Sequence, residues 1–186
     1  LALVTGQRPG EVCGALRSEL DLVTGMWTIP KERAKNKQAH VVPLSNLAKE
    51  LFKRALTIDP YSLFAFPTRA RAKGGIAKPK AMESHALSHA LRDSLQVLEM
   101  QGAPFTPHDL RRTVATHMAR LGIPDRTVGK VLNHGTELRR TITARVYIQH
   151  DFMAEKKAAL DAWASELEQI TRDNSIGSNV VSLRGK

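Results

Sequence analysis

The side chains best suited to chemistry in this sequence are arginines, histidines, a lysine and a tyrosine that could act together on a phosphate ester. The six residues are Arg8, Lys35, His108, Arg111, His134 and Tyr147. The planar fork of an arginine binds two phosphate oxygens at once and keeps its charge. A lysine or histidine can give a proton to a leaving group, and a tyrosine can be a covalent nucleophile. The set holds what metal-free cleavage of a phosphodiester requires.

The charge of the chain points to a polyanion as its partner. Lys and Arg number 28 against 18 Asp and Glu, so the formal net charge is +10, and the pI is about 10.1. Three basic clusters stand out: Lys31, Arg33, Lys35 and Lys37; Arg69, Arg71, Lys73, Lys78 and Lys80; and Arg139, Arg140 and Arg145. One such cluster would be interpreted as a solvated surface. Three clusters with this net charge favour nucleic acid.

The other histidines and the cysteine argue against other classes of protein. His85 and His89 have the i, i+4 spacing of metal ligands, but no third ligand follows at a recognisable distance, so they are interpreted as surface or core histidines. No Walker-type glycine-rich loop is present, and neither a metal nor ATP is expected. Cys13 is the single cysteine, which excludes an internal disulfide. With neither a signal peptide nor an apolar run long enough for a membrane span, we expect a cytoplasmic protein.

The first half of the chain must supply a small sheet and two helices. Strands at 27–30 and 40–44 around a Lys-rich turn predict an antiparallel pair. Ser45 suits the N-cap of a helix that Pro60 ends, and Ser84 suits that of another helix. Their predicted apolar faces are Leu47, Leu51, Ala55 and Leu56, and then Leu87, Leu91, Leu95 and Leu98. The basic segment 67–79 between the helices is expected to be a mobile loop.

The second half is predicted to be helical. Thr106 at an N-cap and Pro107 in the first turn begin a helix that Gly122 ends, and Pro124 opens a short helix that runs to Leu132. The predicted buried stripe of the first of these helices is Leu110, Val114, Met118 and Leu121. A long helix over 151–172 has the apolar positions Phe152, Ala159, Leu160, Trp163, Leu167 and Ile170. Residues 1–172 are therefore expected to form one domain, and 173–186 a flexible tail.

Five stretches, in order along the chain, resemble the motifs of the tyrosine recombinase or phage integrase family. They are Thr5-Gly6-Gln7-Arg8-Pro9-Gly10-Glu11, Lys35-Asn36-Lys37, His108-Asp109-Leu110-Arg111, Leu132-Asn133-His134-Gly135 and Val146-Tyr147-Ile148-Gln149-His150. His-x-x-Arg alone is common by chance, but five matches in one order are specific. The resemblance is greatest to integrases of prophages or genomic islands. It implies the mixed α/β catalytic fold of the family, mainly helical with a small antiparallel sheet.

The resemblance also implies a role for each residue. Arg8 and Arg111 would clamp the phosphate, with Glu11 as a structural partner in the first motif. Lys35 rather than Lys37 would be the general acid, His108 a hydrogen-bonding residue or general base, and His134 a donor to a phosphate oxygen. Tyr147 would be the nucleophile. Lys37, Arg69, Arg71, Lys73, Arg112, Arg139 and Arg140 are expected to contact DNA.

The activity implied is site-specific DNA recombination through a 3′-phosphotyrosyl intermediate, without metal or ATP. Members of the family act on double-stranded attachment sites as tetramers, and accessory DNA-bending proteins can take part. They usually carry an N-terminal core-binding domain, so we expect this chain to be an N-terminally truncated fragment, a monomer by itself, of a protein associated with the bacterial nucleoid. The C-terminal helix is expected to dock on a neighbouring protomer, with packing on its own domain as the alternative.

Two alternatives within this chemistry remain: a catalytically inactive DNA-binding relative, and a type IB topoisomerase that relaxes DNA. Single residues could also have a structural role only: Arg8 could lie on a helix surface, and Tyr61 could lie at the edge of the core. The function of His150, as an aid to the tyrosine or as a helix cap, stays open. The sequence departs from the family pattern at Asn133, where a glycine is usual, and in the thirteen-residue step from His134 to Tyr147.

Overall fold

A computed structural model of the chain describes residues 1–68, 80–97, 105–134 and 152–176. The helices in these ranges are α1 Ala2–Thr5, α2 Pro9–Cys13, α3 Asn46–Ile58, α4 Ser84–Val97, α5 Pro107–Arg120, α6 Asp125–Val131 and α7 Met153–Ile176. A 3-10 turn, Arg17–Glu19, precedes the strands β1 Leu20–Asp21, β2 Met26–Ile29 and β3 His40–Pro43. The predicted mainly helical α/β fold with a small antiparallel sheet is confirmed.

The sheet is antiparallel in the order β1-β2-β3. Trp27 lies opposite Leu20 on one side and Val42 on the other. Trp27 and Ile29 are fully buried while Thr28 between them is exposed, which is the two-residue period of a half-buried strand. The sequence predicted β2 and β3 but missed β1, because two residues are too few to show a period.

Helix α3 begins as predicted, since the Ser45 hydroxyl accepts a hydrogen bond from the backbone N–H of Ala48 at 3.2 Å. It ends at Ile58, two residues before Pro60. The most buried positions are Ala48, Phe52 and Ala55, so the predicted face at Leu47 and Leu51 is rotated toward the half-buried edge of the helix. Phe52 contacts Trp27 edge to face with the ring centroids 5.4 Å apart, which joins this helix to the sheet.

Two further predictions about the first half need correction. Ser84 is the first residue of α4, so it lies inside the helix that it was expected to cap. Tyr61 was placed at the edge of the core, but it is 96% exposed. The predicted loop at 67–79 and the predicted apolar position Leu98 lie largely or wholly outside the described residues.

Helix α5 has Thr106 at its N-cap and Pro107 at its first position, as predicted. Val114 and Met118 are fully buried, but Leu121 is 41% exposed. The predicted stripe is wrong at Leu121 because the helix ends at Arg120, and Gly122 then turns the chain with a φ of +75°. Such a φ is natural for glycine and strained for most other residues.

Helix α7 packs along its own domain, against α1, α3, α5, α6 and β3. Leu160 and Trp163 are buried, and the Trp163 indole N–H donates to the carbonyl of Leu3 at 2.8 Å. The expected docking of the apolar stripe on a neighbouring protomer is therefore wrong for this part of the helix. Its exposed end is different: Ile170 is 38% exposed, and the helix continues past the predicted end at 172 to Ile176.

Phe152 precedes α7 instead of belonging to it. Its φ of +55° turns the chain just before the helix begins at Met153. The ring is buried beneath the guanidinium of Arg126, which lies 4.6 Å from the ring centroid, and the ammonium of Lys130, at 5.3 Å. Contacts of this kind attach the start of α7 to α6. No helix in the described ranges is both long and apolar enough to cross a membrane.

Candidate active site

Gly6 allows the N-terminal motif to approach the rest of the site. It caps α1 with a φ of +67°, a conformation that favours glycine. A Cβ at this position would lie 2.9 Å from Leu132 Cδ2 and 3.1 Å from Val114 Cγ1. The backbone of Gly6 is thus in close contact with both α5 and the end of α6. This contact brings the motif that carries Arg8 beside the motif that carries Arg111.

Arg8 stands at the N-cap of α2, and Glu11 orients it. Glu11 Oε1 accepts from Arg8 Nη1 at 3.1 Å, and Oε2 accepts from the Arg8 backbone N–H at 3.1 Å. The prediction that Glu11 is a structural partner is confirmed. Arg8 Nη2 also donates to the carbonyl of Asn133 at 3.1 Å. The side chain stays 21% exposed, so a ligand can still reach the guanidinium.

Arg111 is buried and bridges two backbone carbonyls. Nη1 donates to the Gly6 carbonyl at 2.6 Å, and Nη2 donates to the Leu132 carbonyl. Burial and, to a smaller extent, the charge of Arg8 lower the pKa of Arg111 to about 10, and the charge of Glu11 opposes both effects. The guanidinium therefore remains a cation at neutral pH. An arginine carries five N–H donors, so these two bonds leave capacity for phosphate oxygens.

Three successive backbone carbonyls of the turn over 131–134 each accept a hydrogen bond from a side chain. Gln7 Nε2 donates to Val131 O at 2.9 Å, and His40 Nε2 lies 3.1 Å from the same oxygen. The next two carbonyls accept from the two arginines as described. The backbone N–H of His134 then donates to Gly129 O at 2.9 Å. His134 follows directly on a backbone that both guanidinium groups hold in place.

The two histidines predicted for the site, His108 and His134, lie in different environments. His134 is exposed at the end of this turn, and its pKa is lowered by partial burial first and then by the charges of Arg111, Arg8 and His108. A lowered pKa favours the neutral imidazole, which can donate one N–H hydrogen bond. His108 is exposed on α5 one turn before Arg111. The charge of His108 is one of the causes that lower the pKa of His134, which agrees with a site lined by both imidazoles.

The hairpin between β2 and β3 carries the candidate acid. Lys35 and Lys37 are both exposed near its tip, where Lys37 has a φ of +56°. Asn36 between them donates from Nδ2 to Asn133 Oδ1 at 2.7 Å. The hairpin tip is therefore attached to the turn that carries His134.

Arg33 does not belong to the exposed basic cluster in which the sequence placed it. Its Nε and Nη2 each donate to the buried carboxylate of Glu19 at 2.6 Å. Nη2 also lies 3.2 Å from the Glu11 carbonyl, and Trp27 Nε1 donates to Glu19 at 3.1 Å. Arg33 is thus a structural residue that joins the base of the hairpin to α2.

Several contact residues of the site could not be recognised from the sequence. His40 was predicted only as a strand residue, yet it is buried, and burial together with the charge of Lys156 lowers its pKa to about 3. Gln7 is fully buried beside Arg8. Their only sequence signal is their position: Gln7 within the first motif, and His40 at the start of a strand.

The remaining predicted residues divide into two groups. Arg112 is exposed on α5 and pairs with Asp109 at 3.4 Å. Thr106 N and Oγ1 hold the same carboxylate, and these hydrogen bonds keep the pKa of Asp109 below its usual value. Tyr147, Arg69, Arg71, Lys73, Arg139 and Arg140 lie outside the described residues.

The sequence profile described as the phage integrase family matches residues 1–153, which is most of the chain. The chain belongs to the phage integrase family. The match spans the motifs of Arg8, Lys35, Arg111, His134 and Tyr147.

Two curated relatives of the phage integrase chain are recombinases by name. Tyrosine recombinase XerC of Thermodesulfovibrio yellowstonii is 29% identical over 153 residues, which cover 78% of this chain and 48% of the relative. Tyrosine recombinase XerA of Thermococcus onnurineus is 26% identical over 156 residues, covering 83% and 52%. The chain therefore spans about half the length of these relatives.

A solved integrase has the same fold as this phage integrase chain. The integrase from mycobacterium phage Brujita superposes with a TM-score of 0.61 and 17% sequence identity, over 87% of this chain and 48% of that one. At such low identity the likeness concerns the fold alone. The described core of the chain thus has the architecture of an integrase.

Proposed function

We propose that the chain is the catalytic domain of a site-specific tyrosine recombinase, which cleaves and rejoins double-stranded DNA through a 3′-phosphotyrosyl intermediate. The observation that carries the proposal is the convergence of Arg8 and Arg111 on the adjacent carbonyls of Asn133 and Leu132, just before His134. Two fixed guanidinium groups and an imidazole around one turn match the demands of a phosphate that gains charge during cleavage. Membership of the phage integrase family, and relatives named as tyrosine recombinases, support it.

In this proposal the two arginines bind the non-bridging oxygens of the scissile phosphate. Arg111 is buried and already oriented, so little conformational entropy is lost when the phosphate arrives. Arg8 is more exposed, and Glu11 holds its fork in position. His134 donates its N–H to a phosphate oxygen as a neutral imidazole. Charge that develops on the phosphate is therefore stabilised by donors that are in place beforehand.

The covalent step is a transesterification. The Tyr147 oxygen attacks phosphorus and forms a phosphotyrosyl bond, while the bond from phosphorus to the 5′ oxygen breaks. Lys35 gives a proton to the leaving 5′ oxygen, and His108 accepts the phenolic proton of Tyr147. A 5′ hydroxyl from another DNA end attacks the phosphotyrosyl bond in the reverse step. The phosphotyrosyl bond conserves the energy of the broken ester, so the cycle uses neither ATP nor metal.

The substrates and assembly extend this proposal to the whole protein, and the chain spans about half the length of its curated relatives. We propose attachment-site duplexes of a mobile element as substrates and a tetramer on DNA as the active assembly, with accessory DNA-bending proteins able to take part. A net charge of +10 supports DNA as the partner. The domain would extend to the end of α7 at Ile176, four residues beyond the boundary expected from the sequence, in a protein that acts on the bacterial nucleoid.

Covalent trapping on DNA tests the proposed function. The whole protein is incubated with a nicked duplex that carries the attachment sequence, found from the repeats that flank the element. The short fragment beyond the cleaved bond diffuses away and leaves the protein joined to DNA. We expect an adduct with wild type, none with Tyr147→Phe, and a normal adduct with the control Tyr61→Phe. Absence of any adduct from wild type would support an inactive DNA-binding relative, whereas relaxation of plasmids that lack the site would support a topoisomerase.

A further inference from the structure

A pair of asparagine side chains joins the hairpin that carries Lys35 to the turn that carries His134. Asn36 Nδ2 donates to Asn133 Oδ1 at 2.7 Å, and Asn133 Nδ2 donates back to Asn36 Oδ1 at 3.4 Å. The two residues are 97 positions apart in the chain. Each of them is the immediate neighbour of a proposed site residue.

The backbone of Asn133 shows why an asparagine can stand here. Its φ of +48° lies in the left-handed region, which asparagine tolerates better than most residues with side chains. A glycine would satisfy this backbone equally well but could not reach the hairpin. The side chain of Asn133 therefore adds a contact that the backbone conformation does not need.

Asn36 also shapes the tip of the hairpin itself. Its Oδ1 accepts from the backbone N–H of Gln38 at 3.3 Å, while Lys37 N donates to Ala34 O at 2.9 Å. Both asparagines are half-buried, whereas Lys35 and Lys37 on either side of Asn36 are exposed. At the hairpin tip, Asn36 is thus the residue that turns inward, and Asn133 is the group it meets.

Asn133 carries a second contact at the same time. Its backbone carbonyl accepts from Arg8 Nη2 at 3.1 Å. Through its side chain and its carbonyl, this one residue connects the hairpin, the first arginine motif and the turn before His134. These hydrogen bonds fix the positions of the three segments relative to one another.

We infer that Asn36 and Asn133 form a positioning pair that holds Lys35 over the scissile phosphate for protonation of the leaving group. The inference rests on the proposed function and assigns the two asparagines a role that acts through Lys35. A general acid accelerates cleavage by about 10²–10⁴, and only when its proton lies within hydrogen-bonding reach of the leaving oxygen. An exposed lysine on a hairpin tip loses part of this factor when the tip moves.

The test separates positioning of Lys35 from a general structural role. Asn36→Ala, Asn133→Gly and the double variant of the whole protein are compared with wild type in single-turnover cleavage of the nicked duplex. One substrate has the ordinary 5′ oxygen and the other a 5′-bridging sulfur, which leaves without needing a proton. We expect each single variant to cleave the oxygen substrate about tenfold more slowly and the sulfur substrate at close to the wild-type rate.

Two further variants make the comparison sharper. In a Lys35→Ala background the asparagine changes should add no further loss, and the double variant should be no slower than either single one, because the pair acts through one group. Gln38→Ala is the matched control: it removes an exposed amide from the same turn and should leave both rates unchanged.

Two results would overturn the inference. Equal losses on the oxygen and sulfur substrates would mean that the pair serves the fold alone, and unchanged rates on both would mean that it serves nothing in cleavage. Absence of an adduct from wild type on either substrate is a different result, since it rejects the proposed function and the pair's role with it.

Discussion

The buried guanidinium of Arg111 donates to the carbonyl of Gly6 at 2.6 Å, although 105 positions separate the two residues. The same side chain also holds the Leu132 carbonyl. Arg111 therefore has a structural role and a proposed role in binding phosphate. Substitutions at this position separate the two roles only if stability and cleavage are both measured.

Replacing Arg111 should reduce both stability and cleavage. Arg111→Lys keeps a charge but has no planar fork to bridge two carbonyls, so one buried carbonyl loses its donor at a cost of about 1–3 kcal/mol. The rate of adduct formation should fall by a factor of about 10²–10³, as is typical when one transition-state donor is lost. Urea denaturation measures the loss of stability, and the time course of adduct formation measures the loss of cleavage.

Arg8→Lys is the comparison. Because Arg8 is more exposed than Arg111, this variant should destabilise the protein less and slow cleavage by a similar factor. Full adduct yield from a folded Arg111→Lys protein would contradict the clamp.

Cleavage should not depend on a metal ion. The proposed phosphate ligands are cationic and provide the charge stabilisation that a metal supplies in nucleases. Adduct formation by the whole protein in excess EDTA should equal that in magnesium. Loss of the adduct in EDTA and its return on adding magnesium would point to a metal-dependent nuclease.

Binding of DNA by this chain should weaken steeply with salt. Each phosphate that a cationic side chain neutralises contributes about −0.9 to the slope of log affinity against log salt. We expect a linear decrease over several such contacts, with little discrimination between sequences, in fluorescence anisotropy with labelled duplexes. An affinity that does not change with salt would contradict an interface made by the basic clusters.

Stability should fall as the pH is lowered from about 6.5 to about 3, because His40 is buried as a neutral imidazole with a pKa of about 3. The unfolded chain takes up a proton near pH 6.5, whereas the folded chain does not until the pH nears 3. His40 alone therefore lowers the free energy of unfolding by up to about 1.4 kcal/mol per pH unit across this window, and its contribution is complete above it.

The variant His40→Gln tests this assignment. Its amide does not titrate but can still donate to Val131 O, so the free energy of unfolding, from urea titrations at several pH values, should vary less with pH. His85→Gln, at an exposed histidine, is the control and should keep the wild-type dependence. An unchanged pH profile in His40→Gln would show that other groups cause the acid sensitivity.

The packing of α7 on its own domain predicts that this helix is needed for folding. Trp163 is 1% exposed, and its truncation to alanine should cost about 3–5 kcal/mol. Ile170→Ala, at a position 38% exposed, should cost far less. Deletion of the chain after Glu155 should abolish the cooperative unfolding transition, measured by circular dichroism on heating. If the protein truncated after Glu155 still unfolds cooperatively, α7 is not needed for folding and its role lies in assembly.

The family, the order of the motifs and most of the local structure could be predicted from the amino-acid sequence. Ser45 and Thr106 at N-caps, Pro107 in a first turn and Gly122 after a helix have local physical causes, since each satisfies or ends the hydrogen bonding of nearby backbone. The six site residues could be proposed because their types suit phosphate chemistry and their neighbours match the family motifs.

The contacts between distant side chains depend on the tertiary fold and could not be predicted from the sequence. The contacts of Arg111 with Gly6, Asn36 with Asn133, and His40 with Val131 each join residues more than 90 positions apart. Such contacts leave no periodic pattern in the chain, because they arise when helices and strands pack and bring distant side chains within hydrogen-bonding distance. For the same reason the sequence places Arg33 in a surface cluster, although in the fold its guanidinium pairs with the buried Glu19.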